Sequence, residues 1–316
     1  MIHFRPFRNS DPPLLAEVWR SQPSQRGLML PMSPALFEQL VLSQSIFDSQ
    51  GLILATNEDK VLGFVHAGFG PNDERTALST ERGVTSMLMI RAPEARSSLA
   101  AELLVQSENY LRGRGAREIY AGGVRPLDPF YLGLYGGSEL SGILESDTQH
   151  SELVGAAGYE AVEDSRVLQR DLASFRPIVD RRQMQLRRRT SLNVVADPPA
   201  TNWWDACTFG GFDRTRFELQ SRDAGTTVAG VTFWRMEPLA TTWGVHAVGL
   251  VDLEVVPGER RQGTATYLLG EAFRHLSSQG IALVEVHVRE TNAAAIGLFA
   301  KLEFKQVDRA VAFRKR

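Results

Sequence analysis

VDLEVVPGERRQGTATYLL, residues 251–269, is the stretch that decides the fold. A β-branched run stops at Pro257, a polar and basic loop follows, and Gly263-Thr264-Ala265 opens an apolar helical segment. A strand that hands over to a helix through such a loop makes an anion site. The first turn of a helix leaves backbone N–H groups unpaired and carries a partial positive charge. Gly263 lets an oxyanion approach the backbone where a side chain would block it. Ala265 keeps the helix start open, and Arg260 and Arg261 add charge that meets phosphate. Helix N-termini bind phosphate groups for these reasons.

Working outward, the same local order occurs twice, as an internal repeat would give. The strand Thr85–Ile90 leads through Pro93 and Arg96 into the helix AAELLVQSENYLRGRG. The strand Val248–Val256 leads through Pro257 and Arg260 into ATYLLGEAFRHLSSQG. Each helix ends in a glycine, Gly115 or Gly280, as a left-handed C-cap requires. Each is followed by a strand, 117–123 or 282–288, then a short helix and a last strand opened by an aromatic residue. Strand–helix–strand–helix–strand, twice over, predicts two α/β domains.

The remaining segments fit around these. IHFRPFR reads as a first strand, and Pro12–Gln22 and Pro34–Ser43 read as helices by their apolar spacing. Leu52–Thr56 and Val61–Gly68 read as a hairpin about Asn57–Lys60, and Arg216–Ser221 with Thr227–Arg235 as its counterpart. Arg166–Leu172 closes the first domain as a strand. The expected boundaries are 1–173 for the first domain, 174–187 for a linker and 188–316 for the second. Arg181, Arg182, Arg187, Arg188 and Arg189 cluster at the boundary. No aromatic interleaving accompanies them, so a solvated linker running into the first strand is expected rather than a nucleic-acid surface.

Composition excludes several classes. The chain has 316 residues, 43% apolar and 23% charged, with a formal net charge of −2. That leaves no whole-molecule field for nucleic acid or an anionic membrane. Cys207 is the single cysteine, so no intrachain disulfide forms and a reducing, cytoplasmic setting is expected. No run reaches the ~20 apolar residues of a membrane span, and the polar start MIHFRPFRNSDPP has no signal-peptide core. No Cys/His spacing fits a metal, and none is expected.

The spacing Arg260-x-x-Gly263-x-Ala265 after Val255-Val256-Pro257 resembles motif A of the GNAT acetyltransferases. ETNAAAIGLFAKLEFKQV, 290–307, resembles that family's C-terminal motif: Asn292, Ala295 and Phe304 match, while Phe299 stands for its tyrosine and Glu303 for its glycine. The resemblance covers about 216–316. It implies an α/β (α+β) fold, each domain a mixed, mostly antiparallel splayed sheet flanked by helices. It also implies acetyl-CoA as co-substrate. The backbone of Leu253 and Val255 would take the pantetheine arm, and the amides of Arg261, Gln262, Gly263, Thr264 and Ala265, with Arg260, would hold the pyrophosphate. Asn292 would face the cofactor or support its loop, and Phe299, at the tyrosine position, has no proton to give the leaving thiolate.

For the base that frees the attacking amine, Glu254, Asp252 and His246 are candidates, with Glu254 first. Period-two geometry puts Asp252 and Glu254 on one face unless a bulge divides them.

Overlaid on the second domain by its prolines, the first places Leu99 on Gly263 and Ala101 on Ala265. Leucine there should repel a phosphate, so a degenerate copy is expected. Asp147 and Val154 fall on the asparagine and tyrosine positions. An insertion, 128–147, carries Phe130, Tyr131 and Tyr135 among glycines. It fits either a binding loop or a segment packed on the sheet.

The expected function is an acetyl-CoA-dependent N-acetyltransferase acting on a primary amine of a small molecule, with catalysis in the second domain. The alternative is a non-catalytic acyl-CoA-binding or scaffolding module. Oligomeric state is left unspecified.

Overall fold

A computed structural model describes residues 1–91 and 97–316. Two compact units emerge, and neither is one stretch of chain. Met1–Ser165, Ala200–Gly211 and Asp308–Arg316 form the first; Arg166–Pro199 and Phe212–Val307 form the second.

The first half of the chain runs β1 (His3–Pro6), α1 (Pro12–Arg20), α2 (Pro34–Phe37), β2 (Leu52–Asn57), β3 (Lys60–Pro71), β4 (Leu78–Ile90), α3 (Ser97–Gly113), β5 (Glu118–Ala121), β6 (Ile143–Leu144), α4 (Thr148–Ala156) and β7 (Glu160–Asp171). Pro12 opens α1, whose Leu15, Ala16, Val18 and Trp19 are buried at helical spacing. The helix expected over 34–43 is only four residues of α-helix, capped by Ser33, before it widens into a π-helical turn at Glu38–Leu42. Strands β1 to β4 pair antiparallel in order, and β5 joins β4 in parallel around α3. The apolar stripe Leu99, Leu103, Leu104 and Leu111 of α3 packs into the core beneath Ile53, Val65 and Leu88.

The second half runs α5 (Arg181–Arg189), β8 (Thr190–Ala196), α6 (Trp203–Phe209), β9 (Arg214–Ser221), β10 (Thr227–Arg235), α7 (Glu237–Trp243), β11 (Ala247–Val255), α8 (Thr264–Ser278), β12 (Leu283–Arg289), α9 (Ala293–Lys301) and β13 (Lys305–Lys315). β8, β9, β10 and β11 pair antiparallel in sequence, and β12 joins β11 in parallel. Leu268, Leu269, Ala272, Phe273 and Leu276 of α8 form the core against Phe217, Phe233, Leu250 and Val284.

Each unit's sheet takes one strand from outside the contiguous block expected for it. In the first unit, the end of β13 lies antiparallel on β5, pairing Phe313 with Ala121, Arg314 with Tyr120 and Lys315 with Ile119. In the second, residues 166–171 of β7 lie beside β12, where Gln169 Nε2 donates to Glu285 Oε2 at 2.7 Å and Leu172 N to Ala282 O at 2.8 Å. The units therefore differ from the contiguous blocks expected. Part of the 174–187 linker is the helix α5, with Gln183 and Leu186 buried.

The 128–147 insertion packs inside the first unit. Phe130, Tyr131 and Tyr135 are nearly fully buried, Trp19 stacks on Tyr131 at 5.9 Å, and β6 pairs with β13. Gly142 is required there: its φ is +106°, and a Cβ would stand 2.1 Å from the Val311 carbonyl oxygen.

Candidate functional site

In the second unit, β11 and β12 pair only from Ala247–Leu283 to Gly249–Glu285. Both strands continue, to Val255 and Arg289, without pairing further, so a cleft opens between them. On its other side β11 stays paired with β10 as far as Val255 opposite Ala229. The register slips between Gly230 and Thr232, and Asp252 has φ +52°, which marks a β-bulge. The bulge changes which residues face the α8 core. Before it, Val248 and Leu250 pack there; after it, Leu253 and Val255 do. Asp252 and Glu254 are both exposed, and Glu254 lies on the face away from α8, opposite Gly230.

The chain then enters a short turn at Pro257–Glu259 and reaches α8 at Thr264. Gly263 is its N-cap, with φ +85°. Among the described residues, the backbone N–H groups of Arg261, Gln262 and Gly263 donate to no protein acceptor. Thr264 Oγ1 donates to Glu259 O at 3.0 Å and Gln262 Nε2 to Gly258 O at 2.6 Å, which fixes the loop. Open amides, a side-chain-free N-cap and a helix dipole fit a diphosphate.

The arginines divide their work. Arg260 turns back, its Nε donating to Val255 O at 2.9 Å, so it anchors the strand end. Arg261 is exposed with φ +60°. Residues from α5 also reach this loop: Gln183 Nε2 donates to Gly263 O at 3.5 Å, and Arg189 pairs with Glu259 and with Gln262 Oε1. That contribution was hidden in a stretch expected as linker.

The structure thus brings together Leu253, Val255, Arg260, Arg261, Gln262, Gly263, Thr264 and Ala265 at one end of the cleft. Asn292 and Phe299 belong to α9, which follows β12. Asn292 caps α9, its Oδ1 accepting from Ala295 N at 3.1 Å. Phe299 is 2% exposed and meets Phe304 edge-on at 4.9 Å, so its ring belongs to the core rather than to an open surface. Phe299→Leu is expected to cost about 1–2 kcal/mol of stability, measured by urea unfolding. His246 is exposed just before β11, at the strand end opposite Glu254, with its carbonyl accepting from Ala282 and Leu283.

The face carrying Glu254 holds polar residues the sequence reading did not weigh. Glu285 and His287 are buried on β12, 3.6 Å apart. Arg216 and Glu218 alternate with core Phe217 and Leu219 along β9, a period-two signal that was legible.

The first unit repeats the frame, with other side chains at the parting. β4 and β5 part after Thr85–Ala121, and Asp147 caps α4 as Asn292 caps α9. Val154 is buried as Phe299 is. The space between the parted strands is a cavity of only about 30 Å³, lined by Ser86, Leu88, Gly122, Tyr135, Ile143 and His150. His150 Nε2 contacts the Leu88 carbonyl and its Nδ1 lies 2.7 Å from Asp147 Oδ2, which also accepts from Tyr135 OH at 2.9 Å. Leu99 lies buried in α3; Pro93 and Arg96 fall outside the described residues.

Among the described residues, no helix is long and apolar enough to cross a membrane, and no cluster of His, Cys, Asp and Glu could hold a metal.

A parted sheet, a bulged strand and a glycine-capped helix thus make a mixed α/β fold with an open anion seat at one end of its cleft. A model of the acetyltransferase (GNAT) family matches residues 184–304, and that segment belongs to the family. The whole chain is similar in fold to a tandem GNAT protein from the clavulanic acid biosynthesis pathway (14% identity, 100% of this chain, 98% of that one, TM-score 0.68). It is also similar to a GCN5-related N-acetyltransferase from Sphaerobacter thermophilus (15% identity, 99% and 95%, TM-score 0.65). A third similarity is to the GCN5-related glucosamine N-acetyltransferase region of a fungal multi-domain GH3 β-N-acetylglucosaminidase (14% identity, TM-score 0.73). There all of this chain is covered, but it spans 38% of the fungal chain. No curated protein matches the sequence.

Proposed function

We propose that the second unit is an acetyl-CoA-dependent N-acetyltransferase for a small-molecule primary amine, acting in the cytoplasm, and that the first unit is a degenerate copy without a coenzyme seat. The observation that carries this reading is the cleft between β11 and β12, which opens after Gly249 and leads to the N-cap of α8 at Gly263. Backbone groups of β11 beyond the parting would pair with the pantetheine arm as an added strand does. The amides from Arg261 to Ala265 would hold the pyrophosphate. A backbone N–H from the bulged strand would stabilise the developing oxyanion.

Glu254 is the assigned base. It is exposed on the bulged strand, on the face away from α8, and takes a proton from the incoming ammonium directly or through one water. The freed nitrogen attacks the thioester carbonyl carbon and the C–N bond forms; the nitrogen gives its second proton to solvent as the C–S bond breaks and the thiolate leaves. The buried phenyl ring of Phe299 donates nothing, so solvent protonates the thiolate.

The test is thiol release from acetyl-CoA across a panel of primary amines, with Glu254→Gln beside the wild type. The variant is expected to lose about a hundredfold in kcat. If acetyl-CoA binds and no amine releases thiol, the enzymatic reading fails. The buried phenylalanine at position 299 would then favour a non-catalytic acyl-CoA-binding module.

A further inference from the structure

We propose that the acceptor is a short amino acid, with Arg216 receiving its carboxylate while Glu254 faces its amine. The inference rests on the reading of Glu254 as the base, because it concerns what lies beside that carboxylate.

Cross-strand register places the residues. Glu218, Gly230 and Glu254 are directly opposed on β9, β10 and β11, so they form one row on one face. Arg216 and Thr232 are opposed in the next row of that face. The core residues Phe217, Val231 and Val255 occupy the other face. An amine presented to Glu254 therefore lies over a row whose middle position has no side chain.

Arg216 fills that gap. Its Nε is 3.0 Å from Glu218 Oε1, and its Nη1 donates to Thr232 Oγ1 at 3.3 Å. Its Nη2 lies over Gly230, 2.5 Å from where a Cβ would stand. Two contacts fix the guanidinium, and Nη2 donates to no acceptor among the described residues. The side chains of Arg216 and Glu218 are 26% and 21% exposed, so water screens the group only in part. A planar donor held this way is preorganised for a carboxylate. Glu254 stands on β11 beside the Gly230 position that Nη2 overlies, about 5 Å from it across the sheet, a spacing that suits an ammonium and a carboxylate separated by a few bonds. A simple monoamine would leave the Arg216 edge unused.

The test compares kcat/KM for ω-amino acids of two to four carbons with that for their carboxamides, at one pH and saturating acetyl-CoA. The wild type should favour the acid at least about tenfold, the size of one charge-assisted hydrogen bond. In Arg216→Met the acid-to-amide ratio should fall below about twofold. Gly230→Ala keeps the arginine but displaces its guanidinium, and the ratio should fall there too. An acid-to-amide ratio near one in the wild type, or a ratio unchanged in both variants, overturns the proposal and leaves N-acetylation standing. Turnover of no amine at all overturns both.

Discussion

Gly263→Glu is expected to weaken acetyl-CoA binding by at least about a thousandfold, or roughly 4 kcal/mol. Three effects act in the same direction. A carboxylate at the α8 N-cap puts negative charge where the diphosphate would sit, and an uncompensated charge beside another is costly. Its side chain closes the approach to the open amides. The backbone at Gly263 has φ +85°, which costs a non-glycine residue about 1–2 kcal/mol. A Cβ there would also stand 3.1 Å from Gln183 Nε2, so α5 must give way slightly. Gly263→Ala separates these effects, since it carries the backbone strain without the charge and should lose far less. Calorimetric titration with acetyl-CoA reads the result. Binding at one equivalent that survives the glutamate would put the coenzyme elsewhere and reverse the roles proposed for the units.

In the first unit, His150→Ala is expected to cost about 3 kcal/mol of stability. Both imidazole nitrogens face acceptors: Nδ1 the Asp147 carboxylate and Nε2 the Leu88 carbonyl. A doubly protonated ring donates to both, so the site favours the imidazolium. Burial works to lower its pKa, but the hydrogen bond and charge of Asp147, with the Leu88 carbonyl, outweigh burial and raise it. Burial likewise works to raise Asp147, but His150 and the Tyr135 hydroxyl hold the carboxyl below its ordinary range. Alanine at 150 takes the counter-ion from Asp147, which is buried in the wild type at 8% exposed.

The pH dependence follows from the two directions. Asp147 is depressed on folding, so its contribution is present above the ordinary carboxylate value and lost as pH falls through the lowered one. His150 is raised, so its contribution is full below the ordinary imidazole value and lost as pH rises through the raised one. The wild-type advantage over His150→Ala should therefore be greatest between about pH 4 and 6.5 and shrink on either side. Thermal unfolding across pH reads it; an advantage that kept growing above pH 8 would show that the charged pair is not its source.

The two prolines, the glycine at 263 and the helix-terminating glycines were strong local signals, because each answers to a backbone need that few other residues meet. From them the α/β repeat and the glycine start of α8 were legible, while the splayed sheet was implied only by the resemblance to the acetyltransferase motifs. The edge-strand exchange was not. The alternation in β7 and β13 says that each is half-buried, but a strand's pattern carries no record of which neighbour it pairs with. The bulge at Asp252 was likewise hidden, since a carboxylate adopts positive φ without marking it in the sequence. It nevertheless decides which face Glu254 occupies. Phe299 was read from its motif position, where its spacing from Leu302 already fitted a core-facing helix stripe. Arg216 could have been found from its alternation with Phe217; what made it informative was Gly230 beneath it, and that needed the register.

The exchanged strands also bear on how the chain is made. Translation proceeds from the N-terminus, and domains commonly complete themselves as they emerge. Here β5 lacks its antiparallel neighbour until residues 313–315 have been synthesised, nearly two hundred positions after Ala121. Until then the nascent first unit exposes an open sheet edge, the kind of surface that invites pairing with foreign strands. Closure of the first unit is therefore a late, long-range event that waits for residues 308–316, whereas the second unit is complete within 166–307.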